Sequence, residues 1–302
     1  MLRENAPCEW PLDAPRLIEP DSSDLSKGIV LQGQVAVVTG GGRGVGRAIA
    51  EALAAAGAAV VVASRSEAQL GDVVRAIAAS GGEAISVVVD VTDPTGVEGL
   101  VSQTAERFGG PTLLVNNAAT WRQVGPLENS DPELWWRDVE VTLKGAFLCT
   151  RAVLPVMREG GMGRIVNVSS YAAIAPRPYA TAYASAKAAL LRLTDSLQAE
   201  LAGTGVRAFA MTPGFVATGL VREVADSAAG RRYLPQLVSR TDAIDPSEAG
   251  RLIVEIASGK LDALAGRFVH VLDDVDDLIC RADEIDARDL YALCLRRLDA
   301  DQ

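Results

Sequence analysis

Ser170, Tyr183 and Lys187 are the residues of this 302-residue chain whose types and spacing point to chemistry. Ser170 lies thirteen positions before Tyr183, and Tyr183 four before Lys187. On one helix an i,i+4 pair shares a face about one turn apart, so a phenol would stand beside an ammonium. A free tyrosine titrates near ~10. A neighbouring cation favours the phenolate, which draws the pKa towards working pH and suits the phenol to proton transfer. Ser170 closes the short apolar strand GRIVNVSS, where its hydroxyl can orient a substrate oxygen against Tyr183. A tyrosine and a lysine four apart are common on helices; their surroundings set these two apart.

Three groups held in register need a rigid frame. QVAVVTG, from Gln34, is a continuous apolar run of the kind buried on both faces of a parallel sheet. It runs into GGGRGVG and then a helical pattern marked by Ile49 and Leu53, with Gly57 as its stop. Strand, glycine turn and helix make a phosphate site: glycines let the backbone approach, and the helix N-terminus offers unpaired N–H groups and a positive dipole end. The glycines fall at Gly40, Gly44 and Gly46 after Thr39, which departs from the GxGxxG spacing. The second strand, AAVVVASRS, ends in Ser64 and Arg65. An acid there would hold ribose hydroxyls, whereas a base pairs with a 2′-phosphate. Arg65, with Arg43 in the turn and no acid, points to the phosphorylated nucleotide.

A helix over 67–80 and the strand EAISVVVDV follow, with Asp90 at the strand's carboxyl end. Asp93 and Pro94 open a third helix, and the strand TLLVNNAA ends in Asn116 and Asn117, amides able to bond a ribose or a neighbouring strand. Asp131 and Pro132 open a long helix through Trp135, Val139, Leu143 and Phe147. The strand of Ser170, the helix of Tyr183, the strand VRAFAMT, the turn Pro213-Gly214 and the strand GRFVHVL complete the alternation. The fold class is α/β, a single Rossmann-type doubly wound parallel sheet of about seven strands with helices on both faces. In such a sheet ligands sit beyond the carboxyl ends of the strands, where the glycine turn, Arg65, Asp90, Asn116, Ser170 and Pro213 all fall.

With 49% hydrophobic residues the chain has ample material for a core. Residues 1–32 lack periodicity and read as an N-terminal arm, with Trp10 its anchor; residues 273–302 form an acidic C-terminal extension. There Leu290, Cys294 and Leu298 recur every fourth residue, which predicts a terminal amphipathic helix. The formal charge of -10 divides into -3 on the arm, -6 on the extension and -1 on the body, and argues against a nucleic-acid partner. Cys8, Cys149, Cys280 and Cys294 show neither metal nor redox spacing and read as buried thiols of a reducing compartment. The sole histidine, His270, reads as a packed strand residue rather than a base, and no metal site is expected. No stretch is long and apolar enough to span a membrane, and the N-terminus lacks a signal-like apolar run, so a cytoplasmic protein is expected.

Over about residues 33–272 the chain resembles the classical short-chain dehydrogenase/reductase family, through TGGGRGVG, the aspartate of DV, NNAA, the Ser170, Tyr183 and Lys187 spacing, and PGFVAT. The resemblance implies an NAD(P)-binding catalytic domain in which Tyr183 exchanges a proton with the substrate oxygen. Lys187 would bind the nicotinamide ribose and lower the Tyr183 pKa. It implies cofactor contacts from Thr39, Gly40, Gly42, Arg43, Gly44, Val45 and Gly46, from Ser64 and Arg65, and from Asp90, towards the adenine, and Val91. Further contacts would come from Asn116, Asn117 and Ala118 on the ribose side, from Tyr183 and Lys187, and from Pro213, Gly214, Val216 and Thr218. It also implies a homodimer or homotetramer built through the helices after residues 131 and 183.

The chain departs from the family at Thr142, in VTLKG, where an asparagine is usual and is held to fix a water of the proton relay. Thr142 is thus expected to support an altered but working relay. The pocket is expected between the 171–182 loop, Trp121 and Val124, and a lid at about 215–240 made of one or two short helices. Leu220, Val221, Tyr233, Leu234 and Leu237 give that lid an apolar side, while Arg222, Arg231, Arg232 and Arg240 face solvent or an anionic substrate. The expected function is an NADP(H)-dependent oxidoreductase interconverting a ketone and a secondary alcohol on a mainly apolar small molecule. Use of NAD(H) in an alcohol dehydrogenase of the same fold, or a nucleotide-binding regulator or scaffold without turnover, are the alternatives.

Overall fold

The computed structural model describes residues 31–294. The chain runs β1 (Val35–Thr39), α1 (Gly44–Ala55), β2 (Ala59–Ser64), α2 (Glu67–Ala79), β3 (Glu83–Val88), α3 (Pro94–Phe108) and β4 (Leu113–Asn116). It continues through α4 (Pro132–Val139), a π turn (Glu140–Lys144), α5 (Gly145–Glu159), β5 (Gly163–Val168), α6 (Thr181–Glu200) and β6 (Val206–Thr212). The last part holds α7 (Gly219–Ala225), α8 (Ala228–Tyr233), α9 (Gln236–Ser239), α10 (Ser247–Ser258), β7 (Phe268–His270), α11 (Val275–Cys280) and α12 (Ala282–Ala287).

All seven strands are parallel in the order β3-β2-β1-β4-β5-β6-β7, the sheet the alternating pattern predicts. Successive strand side chains point to opposite faces. In β1, Ala36 and Val38 pack with α1, α2 and α10 through Ile49, Leu70 and Leu252, while Val37 packs with α3 and α5 through Leu100 and Val153. Each such fully buried Val, Leu or Ile contributes about 1.5–3 kcal/mol, and both faces of the sheet are covered. The strand order reverses between β1 and β4, which opens a crevice at their carboxyl ends.

Asp93 and Asp131 cap α3 and α4 as expected, accepting from Thr95 N–H at 3.2 Å and Glu133 N–H at 2.9 Å, each followed by a first-turn proline. The helix after Asp131 is continuous but irregular: the π turn carries one residue more than an α-helix would. Gly250 lets α10 close on α1, since a Cβ there would lie 2.6 Å from the Ala52 Cβ and 3.0 Å from the Ala48 carbonyl oxygen.

Leu31 is fully buried and its N–H donates to the Ala56 carbonyl at 2.9 Å, so the core begins inside the stretch read as an arm; Trp10 and Cys8 lie outside the described residues. In the C-terminal extension the helices lie earlier than predicted. Asp289 and Tyr291 take positive φ (50° and 56°), Leu290 sits in a turn, and Leu298 lies outside the described residues. Leu290 and Tyr291 instead pack against the core under β7. Cys149 is buried, with burial pushing its thiol up to about 12, whereas Cys280 and Cys294 are exposed, contrary to the reading of buried thiols. Among the described residues no cluster of metal ligands occurs and no helix is long and apolar enough to cross a membrane.

Candidate active site

The end of β5 and the first turns of α6 are tied together at the chemical residues. Lys187, buried, donates from Nζ to the Val168 carbonyl at 2.6 Å, and Ser169 Oγ donates back to the Lys187 carbonyl at 2.8 Å. Lys187 Nζ lies 5.8 Å from the Tyr183 ring centroid, so the predicted pair does share a face. Ser170 hydrogen-bonds the Tyr183 phenol, and its Oγ accepts from Ala172 N–H at 3.2 Å. Trp121 covers the Tyr183 ring in a stack with centroids 4.7 Å apart and planes 15° from parallel.

The electrostatics differ from the simple cation-beside-phenol expectation. Burial drives the Lys187 pKa down to about 7, so its charge at neutral pH is partial. Burial raises the Tyr183 pKa, opposed by the Ser170 hydrogen bond and then by the charge of Arg177. The cation whose field lowers the phenol's pKa is therefore Arg177, on the loop before α6, rather than Lys187.

The glycine turn leaves no room for side chains. A Cβ on Gly46 would stand 2.3 Å from the Gly40 carbonyl oxygen, and one on Gly40, whose φ is +64°, 2.9 Å from Asn117 Nδ2. Asn117 ties β4 to the turn, donating to the Thr39 and Gly40 carbonyls at 2.9 and 3.2 Å, while Thr39 Oγ1 accepts from the Asn117 and Ala118 N–H groups at 3.1 Å each. Arg43 is the N-cap of α1 and makes no side-chain cap bond, so the N-terminus of α1 keeps its N–H groups for an anion.

A cavity of about 1180 Å³ runs from this turn to Tyr183. Every residue named in the sequence as touching the nucleotide lines it except Thr39, buried behind the turn, and Asn116. Asn116 is corrected: it is buried inside the sheet, donating to Asn167 Oδ1 at 2.9 Å and Thr150 Oγ1 at 3.1 Å. Thr142 is also off the wall, fully buried in the π turn, with a hydroxyl that meets no partner among the described residues. Asp90 lines the cavity, though both its oxygens already have partners. Oδ1 accepts from Thr92 N–H and Oγ1, and Oδ2 from Arg137 Nη2 at 2.6 Å. Burial works to raise its pKa, but these bonds outweigh it and hold the carboxyl at about 2.

The cavity is larger than the ~300–1,000 Å³ of a usual ligand pocket, and its two ends differ: backbone amides and arginines at one, a phenol and a hydroxyl at the other. The short chain dehydrogenase profile matches residues 34–229. The chain belongs to the classical short-chain dehydrogenase/reductase family. It is similar to a short chain dehydrogenase of Pseudocercospora fijiensis, 45% identical over 63% of this chain and 62% of that protein. It is also similar to a 3-oxoacyl-[acyl-carrier-protein] reductase of Synechocystis, 40% identical over 64% of this chain and 78% of that one. Among solved structures, a variant of actinorhodin polyketide ketoreductase with NADPH superposes with a TM-score of 0.72 at 31% identity, covering 79% of this chain and 95% of that chain.

As a short-chain dehydrogenase/reductase the protein is an oxidoreductase of CH–OH and C=O groups that uses NAD(P). The glycine turn, the uncapped α1 and the arginines fit a dinucleotide's phosphates.

The lid of this dehydrogenase is three short helices, α7, α8 and α9, where one or two were expected; α7 stands beside the glycine turn, where Glu223 pairs with Arg43, and α7 and α9 contribute to the cavity wall. Leu220, Val221, Leu234 and Leu237 face the cavity. Tyr233 packs on Tyr179 instead, with centroids 5.0 Å apart, and Val124 is off the wall. Of the four lid arginines Arg240 alone lines this cavity, 4.0 Å from the Phe215 ring centroid and paired with Asp242 at 2.6 Å.

The end of β7 and the residues that follow it also reach the wall, through His270, Leu272, Asp273 and Asp274. Burial lowers the His270 pKa and raises that of Asp273 to about 6, although Asp273 accepts the His270 backbone N–H. Sequence reading missed Asp273 and Arg177 because isolated loop charges carry no periodicity or spacing.

Proposed function

We propose that the protein interconverts a ketone and a secondary alcohol on a mainly apolar small molecule using NADP(H), with Tyr183 as the acid–base group. The convergence of Ser170, Tyr183 and Lys187 on the wall that continues from the glycine turn carries this reading. A nicotinamide held along this wall would supply or accept the hydride at the carbonyl or carbinol carbon. In reduction the Tyr183 hydroxyl gives its proton to the carbonyl oxygen while Ser170 Oγ–H holds that oxygen; in oxidation the proton returns to Tyr183. Trp121 fixes the phenol plane from one side. Lys187, held by Val168, stands where ribose hydroxyls and phosphate charge would restore its own positive charge. Phe215, Leu220 and Leu234 support an apolar body for the substrate.

Preference for the 2′-phosphorylated nucleotide is supported by Ser64 in place of an acid after β2 and by Arg43 and Arg65 on the same wall. Fluorescence titration with NADPH and NADH tests it. Arg65→Ala is expected to weaken NADPH about tenfold and to leave NADH unchanged, and Arg43→Ala, whose guanidinium Glu223 already pairs, to weaken NADPH less. Equal affinity for both nucleotides would favour the NAD-dependent reading, and binding of neither would overturn the cofactor assignment. We further propose a homo-oligomer joined through the helices after residues 131 and 183, α4 with α5 and α6, and the exposed Trp136 and Phe147 support it; light scattering giving a monomer mass would reject it.

A further inference from the structure

Four arginines line the cavity: Arg43, Arg65, Arg177 and Arg240. Two are neutralised by the protein itself, Arg43 by Glu223 at 2.6 Å and Arg240 by Asp242 at 2.6 Å. Arg65 and Arg177 have no carboxylate within 4.0 Å among the described residues. The wall's acids, by contrast, are engaged. Asp90 pairs with Arg137, Asp242 with Arg240, Asp273 accepts the His270 N–H, and Asp274 caps α11. The cavity thus presents two unmatched guanidinium groups at opposite ends, one beside the glycine turn and one beside the reacting phenol. The nucleotide's 2′-phosphate answers the first.

The second is not a loose surface cation. Arg177 lies over the Tyr171 ring, 5.3 Å from its centroid, and Tyr171 adjoins Ser170. Its loop is anchored on both sides. Gly125 N–H donates to the Tyr179 carbonyl at 2.9 Å, Tyr179 takes a left-handed φ of 66°, and the Tyr179 ring packs on Tyr233 of α8. A guanidinium is a donor-only group with a fork that matches a carboxylate. Exposed on the same cavity wall as Phe215, Leu220 and Leu234, and left without a carboxylate partner while the wall's acids are engaged, it selects for an acid group.

We infer that Arg177 is a substrate anchor, and that the physiological substrate carries a carboxylate set apart from the carbonyl or carbinol that Ser170 and Tyr183 address. The inference rests on the ketone–alcohol reading and deepens it: the apolar body spans from Tyr183 to Arg177, and its charged end meets the guanidinium. A neutral ketone would still reach Tyr183 but would leave Arg177 to water.

Calorimetric titration of the protein saturated with NADP+ tests this, using para-acetylbenzoate and its methyl ester as matched probes. Wild type is expected to bind the acid about tenfold more tightly than the ester, the scale of a charge-assisted hydrogen bond, and the preference should shrink with added salt. Arg177→Gln should erase the preference and leave the ester's affinity unchanged, and Arg177→Lys should keep part of it. Equal acid binding by wild type and Arg177→Gln, or no acid binding by wild type, overturns the anchor. Reduction of the probes with NADPH is read separately. Turnover of the ester without acid preference sinks the anchor alone. Arg177-dependent binding without turnover of either probe leaves the anion site standing and sinks the ketone–alcohol reading.

Discussion

Lys187 offers a test that needs no substrate. Its ammonium is buried and donates to the Val168 carbonyl, and its pKa is driven from 10.5 to about 7. The folded pKa lies below the unfolded one, so between about pH 7 and pH 10.5 the unfolded chain binds the extra proton and stability rises with pH. The contribution is complete above the unfolded value and is lost as pH falls through the folded one. The whole shift corresponds to about 5 kcal/mol, and the part between pH 7 and pH 9.5 to roughly 3 kcal/mol. Urea denaturation of wild type and Lys187→Met at those two pH values isolates it. Loss of the bond to Val168 is independent of pH, and the Cys149 titration is common to both proteins, so both cancel in the difference. Wild type should gain about 3 kcal/mol relative to the variant over the window. Parallel pH dependences would refute a lysine whose pKa burial lowers, and with it the view that cofactor binding restores its charge.

Tyr183→Phe keeps the ring under Trp121 and removes the proton; turnover should fall about 10²–10⁴-fold with NADPH affinity retained, and a smaller loss would move the acid–base role elsewhere. Thr142→Asn should leave activity equal or raised, because the Thr142 hydroxyl is buried without a partner and an amide reaches further. A large fall in kcat with unchanged stability would show that Thr142 does not occupy the relay position.

The sheet was legible because its signals are local and repeated: apolar runs of strand length, Asp-Pro helix starts, and glycines at strand ends. The Tyr183–Lys187 face was legible because helix periodicity fixes it. The division of labour in Asn116 and Asn117 was not, because adjacent residues at a strand end point to opposite sides, and only the register against β5 sends Asn116 inward to Asn167. The C-terminal helix was misplaced because a four-residue recurrence says nothing about φ, and the positive values at Asp289 and Tyr291 break the run. The direction of the Tyr183 shift was hidden for a different reason. Burial is a tertiary property, and it both lowers the Lys187 pKa and raises that of Tyr183, against which the Ser170 hydrogen bond and the Arg177 charge work.

The π turn at Glu140–Lys144 shows how one stretch of helix serves two masters. One surplus residue rotates everything after it by about 100° relative to what precedes it. Before the turn, α4 lies on α6, with Trp135 Nε1 donating to Thr181 Oγ1 at 3.0 Å two residues ahead of Tyr183; after it, α5 presents Leu148 and Val153 to the sheet. A uniform helix could keep one of these phases and would lose the other. The extra residue acts as a phase shifter, letting a rigid rod brace the catalytic helix at one end and the sheet at the other.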